Sequence, residues 1–320
     1  MTASRARLAV PHGAALGLVA LLAALGAGAV HAPSASARIE VGVYQDDPVR
    51  GVPALRAAVG PKATRVISTY VTGGRTVDPR IVALAGRTGA RLLVSWMPDA
   101  GRDGASQARY RLGSIRRGRQ DAGLKALTRQ LRGLKPTPIL RPMPEPNTTW
   151  YAWSGTVNRN TPAAYVAAWT RVRNVVRGAG GKRIKLLWAP YARSVPDTPE
   201  NAIAAYFPGA TQVDLVGTSA YNFGTVGGLG WTDPDALFED AYRQISALAP
   251  KPFWIAETGS SAKGGSREKW IAQLGALQTS IPALAGLVWF DVRDRNGDFR
   301  IGATRGTRRA FASFARRAGR

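Results

Sequence analysis

Two glutamates stand out in this sequence because of the residues around them. Glu145 lies in RPMPEPNTTWYAW (141–153), between two prolines and ahead of a Trp-Tyr-x-Trp run. Glu257 lies near the end of the apolar stretch PFWIAET (252–258). Two carboxylates facing each other across a cleft can hydrolyse a glycosidic bond, since one protonates the leaving oxygen while the other, ionised, attacks or stabilises the anomeric carbon. Nearby Trp and Tyr rings would stack on sugar faces.

The composition excludes several other chemistries. The 320-residue chain has no cysteine, and both of its histidines, His12 and His31, lie within the first 37 residues. The rest of the chain therefore cannot use a Ser-His-Asp triad, a cysteine nucleophile or a zinc site built on His or thiolate. We expect carboxylates to move the protons of any reaction. We expect neither a metal ion nor a cofactor.

The first 37 residues have the pattern of a secretory signal peptide. Arg5 and Arg7 precede an apolar run over 14–30, and SASA (34–37) supplies the small residues of a signal-peptidase site. We expect cleavage after Ala37, a secreted, extracellular protein, and one catalytic domain over 38–320 that needs no disulfides. A retained membrane anchor is the alternative, because the apolar run is close to the minimum length of a span.

The formal net charge of +24 raises the question of a nucleic-acid partner. However, the basic residues are dispersed, are densest in two helix-like stretches (111–135 and 305–320), and have no nucleic-acid-binding motif beside them. We therefore expect no nucleic acid to bind. We predict a monomer whose arginine-rich, solvated surface could associate electrostatically with an acidic cell wall.

Short apolar runs alternate with longer amphipathic segments after residue 37. The apolar runs are rich in Val, Ile and Leu on both faces, which is typical of buried parallel strands. They cover 39–44, 63–71, 90–97, 137–143, 184–190, 213–221, 252–258 and 284–291. Helices are predicted over 78–89, 124–134, 161–180, 233–250, 267–280 and 309–319.

This alternation predicts an α/β fold with a single (β/α)8 TIM barrel. A doubly wound open sheet is the alternative, but YQDDPVRG after the first strand lacks the glycines of a dinucleotide-binding turn. In a barrel, functional residues collect at the C-terminal ends of the strands. Besides the two glutamates, those ends carry Tyr44, Gln45, Asp46, Trp96, Asp99, Arg141, Trp188, Tyr191, Ser219, Tyr221, Asn222, Trp289 and Asp291.

A lone glutamate in a loop is ordinarily a solvated residue or the ion-pair partner of an arginine. Glu145 and Glu257 differ from that case because both follow predicted strands, the fourth and the seventh, among aromatic residues. Six glutamates follow residue 37, so two at such positions favour a cleft that hydrolyses glycosides.

The segment EPNTTWYAW (145–153) is similar to the E-x-N-x-x-W-Y-x-W signature of glycoside hydrolase family 26, which comprises retaining (β/α)8 enzymes. Arg141 matches the arginine that leads into the family's acid/base glutamate. Three further segments resemble the family's sixth, seventh and eighth strands. They are YFPGATQVDLVGTSAYN (206–222), PFWIAETGSS (252–261) and LVWFDVRDRNGDFRI (287–301). The resemblance covers essentially the whole chain after residue 37.

The resemblance implies that Glu145 is the acid/base and Glu257 the nucleophile of a double displacement, with Tyr221 hydrogen-bonded to the nucleophile. The weakly solvating neighbours Pro144, Pro146 and Trp150 favour the protonated form of Glu145. The implied substrate is β-mannan, with mixed-linkage β-glucan and β-1,3-xylan as alternatives. We expect substrate contacts from Arg141, Asn147, Trp150, Trp153, Trp188, Tyr221 and Trp289. For each tryptophan, a place in the barrel core is the alternative.

Three positions depart from the family's pattern. Pro144 stands where a histidine is usual, Pro146-Asn147-Thr148 replaces Met-Asn-Gly, and Ser219 replaces a commonly acidic residue. We expect the chemistry to survive, because both glutamates are present, and sugar recognition to differ. Two alternatives stay open: a non-catalytic barrel that binds glycans at the cell wall, and an enzyme of the same clan that cuts another wall glycan, including an acidic one.

Overall fold

The computed structural model describes residues 38–100 and 107–319, so the predicted signal peptide over 1–37 lies outside the described residues. Eight parallel strands pair in sequence order, and the first also pairs with the eighth, which closes the sheet into a barrel. The strands are β1 (Glu40–Tyr44), β2 (Val66–Thr72), β3 (Arg91–Met97), β4 (Ile139–Pro142), β5 (Lys185–Trp188), β6 (Leu215–Asn222), β7 (Phe253–Ser260) and β8 (Leu284–Phe290). The TIM-barrel prediction is confirmed, and closure rules out the open sheet.

Helices separate the strands and pack around them. They are α1 (Pro48–Val59), α2 (Pro79–Thr88), α3 (Leu112–Arg116), α4 (Asp121–Leu131), α5 (Pro162–Gly178), α6 (Pro234–Leu248), α7 (Arg267–Gln273), α8 (Leu277–Ser280) and α9 (Arg305–Ala318). Short 3-10 turns cover Pro61–Thr64, Ala108–Tyr110, Pro199–Asn201, Ile203–Tyr206, Val226–Gly228, Leu274–Ala276 and Ile301–Ala303. A small hairpin of β9 (Arg293–Asp294) and β10 (Gly297–Asp298) follows β8. No helix of the described ranges is long and apolar enough to cross a membrane.

Two of the predicted helices, over 161–180 and 233–250, begin at a proline in the structure. The Thr161 hydroxyl accepts a hydrogen bond from the backbone N–H of Ala164 at 3.1 Å, and Pro162 follows at the first helical position. Pro234 likewise begins α6, although the carboxylate of the preceding residue accepts from the Trp231 indole N–H and not from the helix.

Helix α1 was not predicted, because Gly51 and Pro53 interrupt its sequence. It forms nevertheless: the Asp47 carboxylate accepts a hydrogen bond from the N–H of Arg50 at 3.2 Å, and an apolar stripe is buried against the barrel. Tertiary burial therefore outweighs the poor local propensity.

The barrel interior is filled by an apolar cluster distinct from the one between strands and helices. Trp254 of β7 belongs to this inner cluster and pairs with Gly217 on β6 and Gly286 on β8. A Cβ at Gly286 would lie 2.4 Å from the Trp254 ring, and one at Gly217 would lie 2.1 Å from the Trp254 carbonyl oxygen. Gly286 thus makes room for the indole, and Gly217 makes room for the Trp254 backbone.

A bulge in β7 directs Glu257 toward the barrel axis. Against β6, Thr218 pairs with Ile255 but Ser219 pairs with Glu257, so Ala256 has no partner. Strict alternation from the inward-facing Trp254 would turn Glu257 toward the helices. The extra residue restores the inward direction at the position where the strand reaches the barrel mouth.

Substitution of Gly286 tests this packing. Gly286→Ala should lower the free energy of unfolding by about 1–3 kcal/mol, because the new methyl group overlaps the Trp254 ring. The matched control is Gly86→Ala in α2, where an added Cβ meets nothing within 4 Å, and which should stabilise by up to about 1 kcal/mol. Both values come from denaturant unfolding, and equal effects of the two substitutions would contradict the packing described.

Candidate active site

A large cleft crosses the C-terminal mouth of the barrel. Its volume is about 2010 Å³, and every strand, or the loop that follows it, contributes lining residues. Pockets for single small molecules reach roughly 1,000 Å³, so this cleft has room for an extended ligand. Within the described residues, no three His, Cys, Asp or Glu side chains are grouped so that they could hold a metal ion.

Glu257 lies in this cleft and accepts hydrogen bonds from three side chains. The Tyr221 hydroxyl donates to Oε1, while the Tyr70 hydroxyl at 2.5 Å and Arg141 Nη1 at 2.9 Å both donate to Oε2. Burial and then the neighbouring Glu257 charge raise the pKa of both tyrosines well above the usual value, so their hydroxyls remain protonated donors. An ionised carboxylate can accept all three bonds, whereas a protonated one must also donate. The arrangement therefore suits an ionised Glu257.

The guanidinium of Arg141 joins the two glutamates. Nη1 is 2.9 Å from Glu257 Oε2, Nη2 is 3.3 Å from Glu145 Oε1, and the Arg141 side chain is 1% exposed. Nη2 also donates to the hydroxyl of Ser219, which adds a partner without adding a third negative charge. Burial opposes the charge of Arg141, but attraction to Glu257 and Glu145 outweighs it and raises its pKa. One buried cation thus holds the carboxylates close together.

The loop after β4 fixes the position of Glu145. Met143 and Glu145 have φ angles of 47° and 54°, in the left-handed region that side chains with a Cβ seldom adopt. The Glu145 N–H donates to the carbonyl of Ala189 at 3.0 Å, which ties the strained turn to the residue that follows β5. The indole N–H of Trp150 donates to Glu145 Oε2 at 3.0 Å. Backbone and side chain are therefore both held in one orientation.

Glu145 has the environment of a proton donor. Burial and then the negative charge of Glu257 raise its pKa above that of an ordinary glutamate, while Arg141 and the Trp150 hydrogen bond act in the opposite direction. Because the raising effects win, Glu145 retains its proton to higher pH than a solvated glutamate. A protonated Glu145 beside an ionised Glu257 is the division of roles that glycoside hydrolysis requires.

Aromatic and apolar side chains form much of the cleft wall. Tyr44 stacks on Phe290 with ring centroids 5.1 Å apart, and Trp150 meets Tyr191 edge to face at 5.4 Å. Three large apolar side chains are exposed in the part of the chain that the structure describes, and all three line this cleft. They are Trp150, Val195 and Leu229. Exposed apolar surface concentrated in one place marks a binding surface.

The predicted site residues divide into two groups. One group lines the cleft and comprises Glu145, Trp150, Trp153, Tyr221 and Glu257. Trp153 is nevertheless fully buried, stacks on Tyr151 at 4.4 Å and donates its indole N–H to the carbonyl of Pro144, so it supports the loop more than it offers a sugar platform. The other group lies behind the cleft surface.

Asn147 and Arg141 belong to this second group, which corrects the prediction that they contact substrate. Asn147 is fully buried, and its side chain donates to the carbonyl of Tyr191 at 2.9 Å and accepts from the N–H of the same residue at 2.9 Å. It therefore joins the loops after β4 and β5. Arg141 is enclosed between the two glutamates.

Trp188 and Trp289 are also corrected, because both are fully buried between the strands and the helices. Trp289 follows the inward-facing Val288, so alternation turns it outward, where its indole N–H donates to the carbonyl of Phe299 at 2.7 Å. The next residue, Phe290, faces the cleft instead.

Tyr70 is a site residue that the sequence analysis missed. It lies four residues after the inward-facing Val66, so the two-residue period of β2 places both side chains on the same face. The two-residue period of β2 thus identifies Tyr70 as a residue that faces the barrel axis. The same period in β8 places Phe290, and not Trp289, on the cleft side.

A family comparison agrees with this geometry. The family model described as Glycosyl hydrolase family 26 matches residues 116–274, about half of the chain and a span that contains both glutamates and Arg141. The chain belongs to glycosyl hydrolase family 26. The resemblance seen in the sequence is confirmed.

Named relatives match this chain in part. Endoglucanase H of Acetivibrio thermocellus is 27% identical over 221 residues, which cover 68% of this chain and 23% of that protein. The mannan endo-1,4-β-mannosidase A and B of Caldalkalibacillus mannanilyticus is 30% identical over 160 residues, which cover 48% of this chain and 28% of that protein. The chain thus spans about a quarter of the length of these curated relatives.

Solved family 26 structures share the fold. A β-mannanase from Bacteroides ovatus superposes with a TM-score of 0.63 at 18% identity, covering 87% of this chain and 88% of that one. At this level of identity the similarity concerns the fold, and it agrees with the closed barrel.

Replacement of Trp150 tests the electrostatics of Glu145. Trp150→Phe removes a hydrogen bond to the ionised carboxylate, so the pKa of Glu145 should rise further. Carbon NMR titration of labelled glutamate carboxyls measures this directly. Trp231→Phe removes an indole that donates to Asp233 and should leave the Glu145 titration unchanged. An unchanged or lowered pKa in Trp150→Phe would contradict the described contact.

Proposed function

We propose that this chain is a secreted retaining endo-β-glycosidase that hydrolyses a β-linked polysaccharide, with β-mannan as its substrate. The observation that carries the proposal is the pair Glu145 and Glu257, bridged by Arg141 in a long aromatic cleft. Membership of family 26 and relatives named as mannan endo-1,4-β-mannosidases support it.

In the first step, a carboxylate oxygen of Glu257 attacks the anomeric carbon while Glu145 gives its proton to the departing glycosidic oxygen. The bond from the anomeric carbon to that oxygen breaks, and a covalent glycosyl ester with Glu257 forms. Tyr70, Tyr221 and Arg141 hold the attacking carboxylate in place. The oxygen that attacks loses its negative charge as the ester forms, so the hydrogen bonds that it accepts become weaker.

In the second step, Glu145, now ionised, takes a proton from water as the water attacks the anomeric carbon, and the ester bond to Glu257 breaks. Two displacements at one carbon restore its original configuration. Formation of the ester removes the negative charge of Glu257, which is one cause of the raised pKa of Glu145. The pKa of Glu145 therefore falls during the intermediate, which suits its change from acid to base.

The charges of the cleft favour an uncharged polymer. Two arginines, Arg193 and Arg295, line the cleft. Six carboxyl side chains line it, although the net charge of the whole chain is +24. The carboxylates are Asp99, Glu145, Asp197, Asp240, Glu257 and Asp294. Even with Glu145 protonated, the other five outnumber the two arginines, so an acidic glycan would be repelled here. A neutral glycan therefore fits better than the acidic wall polymer left open above.

β-Glucan, including the mixed-linkage form, is the second candidate substrate. Endoglucanase H aligns with 68% of this chain, against 48% for the mannan endo-1,4-β-mannosidase A and B. A non-catalytic glycan-binding barrel is the weaker alternative, since binding alone has no need for a protonated glutamate beside an ionised one.

Secretion forms part of the proposal and rests on the sequence of residues 1–37. Two arginines, an apolar run and small residues before Ala37 support an exported chain whose catalytic domain, a monomer, covers 38–320.

The first test measures reducing ends released from β-mannan, glucomannan, mixed-linkage β-glucan, β-1,3-xylan and an acidic glycan. We expect turnover of a neutral polymer, and Glu257→Gln should lower kcat by at least about a thousandfold, because no nucleophile remains. Glu239→Gln on the exposed face of α6 is the matched control and should retain full activity. Wild-type rates in Glu257→Gln would remove Glu257 as nucleophile. Binding without turnover across the panel would favour the glycan-binding barrel.

Glu145→Ala tests the acid/base role separately. The rate with aryl glycosides should fall most for poor leaving groups, because these depend on protonation. Azide should restore part of the activity by attacking the glycosyl ester without a general base, giving a β-glycosyl azide. Loss of activity that is independent of the leaving group and of azide would argue against Glu145 as the acid/base.

A further inference from the structure

The surplus positive charge lies outside the cleft, and one concentration of it lies on α9. Arg305, Arg308, Arg309 and Arg316 surround a surface groove of about 350 Å³, together with two alanines. We call this feature the arginine groove; its alanines are Ala312 on α9 and Ala58 on α1.

The arginines of this groove recur along one face of the helix. Their spacings of three, four and seven residues keep them on the same side, while Phe311, Phe314 and Ala315 on the other side are buried in the core. The short side chain of Ala312 lies in the middle of the row and leaves the space between the arginines open. The row extends over about 17 Å along the helix axis.

None of the four arginines forms an ion pair with a carboxylate among residues 38–100 and 107–319. Arg308 donates to the carbonyl of Gly302 at 3.0 Å. Glu268 reaches the start of α9, but its carboxylate accepts from the hydroxyls of Thr304 and Thr307. The positive charges of the groove thus remain available to a ligand.

This placement is unfavourable for the helix itself. Arg305 and Arg308 lie in the first turn of α9, where the helix dipole disfavours positive charge and where no acidic residue of α9 occurs. Arg305 and Arg309 are also four residues apart, a spacing at which like charges repel. A bound anion would relieve both effects. Anion binding by the groove would therefore explain why the arginines occupy these positions.

The surroundings indicate which kind of anion fits. The groove has no aromatic ring on which a nucleic-acid base could stack. The large apolar side chains exposed in the described part of the chain lie in the cleft and not here, so nothing in the groove would enter a membrane. Guanidinium groups bind phosphate and carboxylate through paired hydrogen bonds, and a row of them matches a chain that repeats such groups.

We propose that the arginine groove binds a linear anionic carbohydrate polymer through its repeated phosphate or carboxylate groups. This site is separate from the cleft, whose own charges favour a neutral chain. The protein would thereby be retained on an acidic matrix while the cleft acts on a neutral polysaccharide. The proposal does not depend on the activity proposed above, because binding in the groove involves none of the cleft residues.

The test measures binding of the full chain to poly(glycerol phosphate) and to polygalacturonate, by biolayer interferometry at low and at high salt. The variant combines Arg305→Gln, Arg308→Gln, Arg309→Gln and Arg316→Gln. Its Kd for at least one polymer should rise at least about tenfold at low salt, the scale expected for losing several charge-assisted contacts. A preference for one polymer identifies phosphate or carboxylate as the recognised group.

The matched control removes four exposed arginines elsewhere: Arg116→Gln, Arg119→Gln, Arg129→Gln and Arg183→Gln. It has the same net charge as the groove variant, and its Kd should stay close to that of the wild type. Equal weakening in both variants would show that overall charge and not the groove binds, and absence of binding to either polymer would overturn the proposal as well. Tighter binding of duplex DNA, lost in the groove variant, would overturn its carbohydrate assignment.

Thermal melts exclude unfolding as the cause of any loss. Turnover of a neutral polymer should be unchanged in the groove variant, since its four substitutions lie outside the cleft lining. A parallel loss of turnover and binding, with an intact melt, would contradict the separation of the two sites.

Discussion

The cleft depends on one buried cation. Arg141 contacts both Glu145 and Glu257, and without it two carboxylates of low exposure would face each other with little solvent to screen them. Its own burial is tolerated because both terminal nitrogens have further partners, the hydroxyls of Ser219 and Ser95. The guanidinium thus makes it possible for two acids to share a small volume.

The barrel supplies the geometry on which this contact relies. Arg141 lies on β4, which is followed by the turn that holds Glu145. The bulge in β7 directs Glu257 inward from another part of the barrel wall. Tyr70 from β2 and Tyr221 from β6 complete the carboxylate's partners. Five residues from four strands meet at one point, which is feasible because the strands of a closed barrel converge on a common axis.

Much of this could be derived from the sequence, for identifiable reasons. The strands are continuous apolar runs, and the glutamates lie in distinctive local segments. The fold, the family and the two carboxylates can therefore be predicted from the sequence. Helix α1 was not, because Gly51 and Pro53 obscure a segment that tertiary burial stabilises. The roles of Asn147 and Arg141 depend on contacts with residues 44 to 116 positions away, which local patterns do not encode. The outward orientation of Trp289 follows from the alternation of side chains along β8, so the sequence does encode it.

The inner apolar cluster, which includes Trp254, fills the barrel between its strands. In the proposed reaction, polymer, departing fragment and solvent therefore all use the cleft at the C-terminal mouth. In the proposed reaction, the fragment released first occupies the path that water must take. Hydrolysis of the ester then has to wait for that fragment to leave, and a sugar that lingers there can return to the ester in place of water. In that mechanism, a filled barrel interior thus makes hydrolysis compete with transfer of the bound glycan to another sugar.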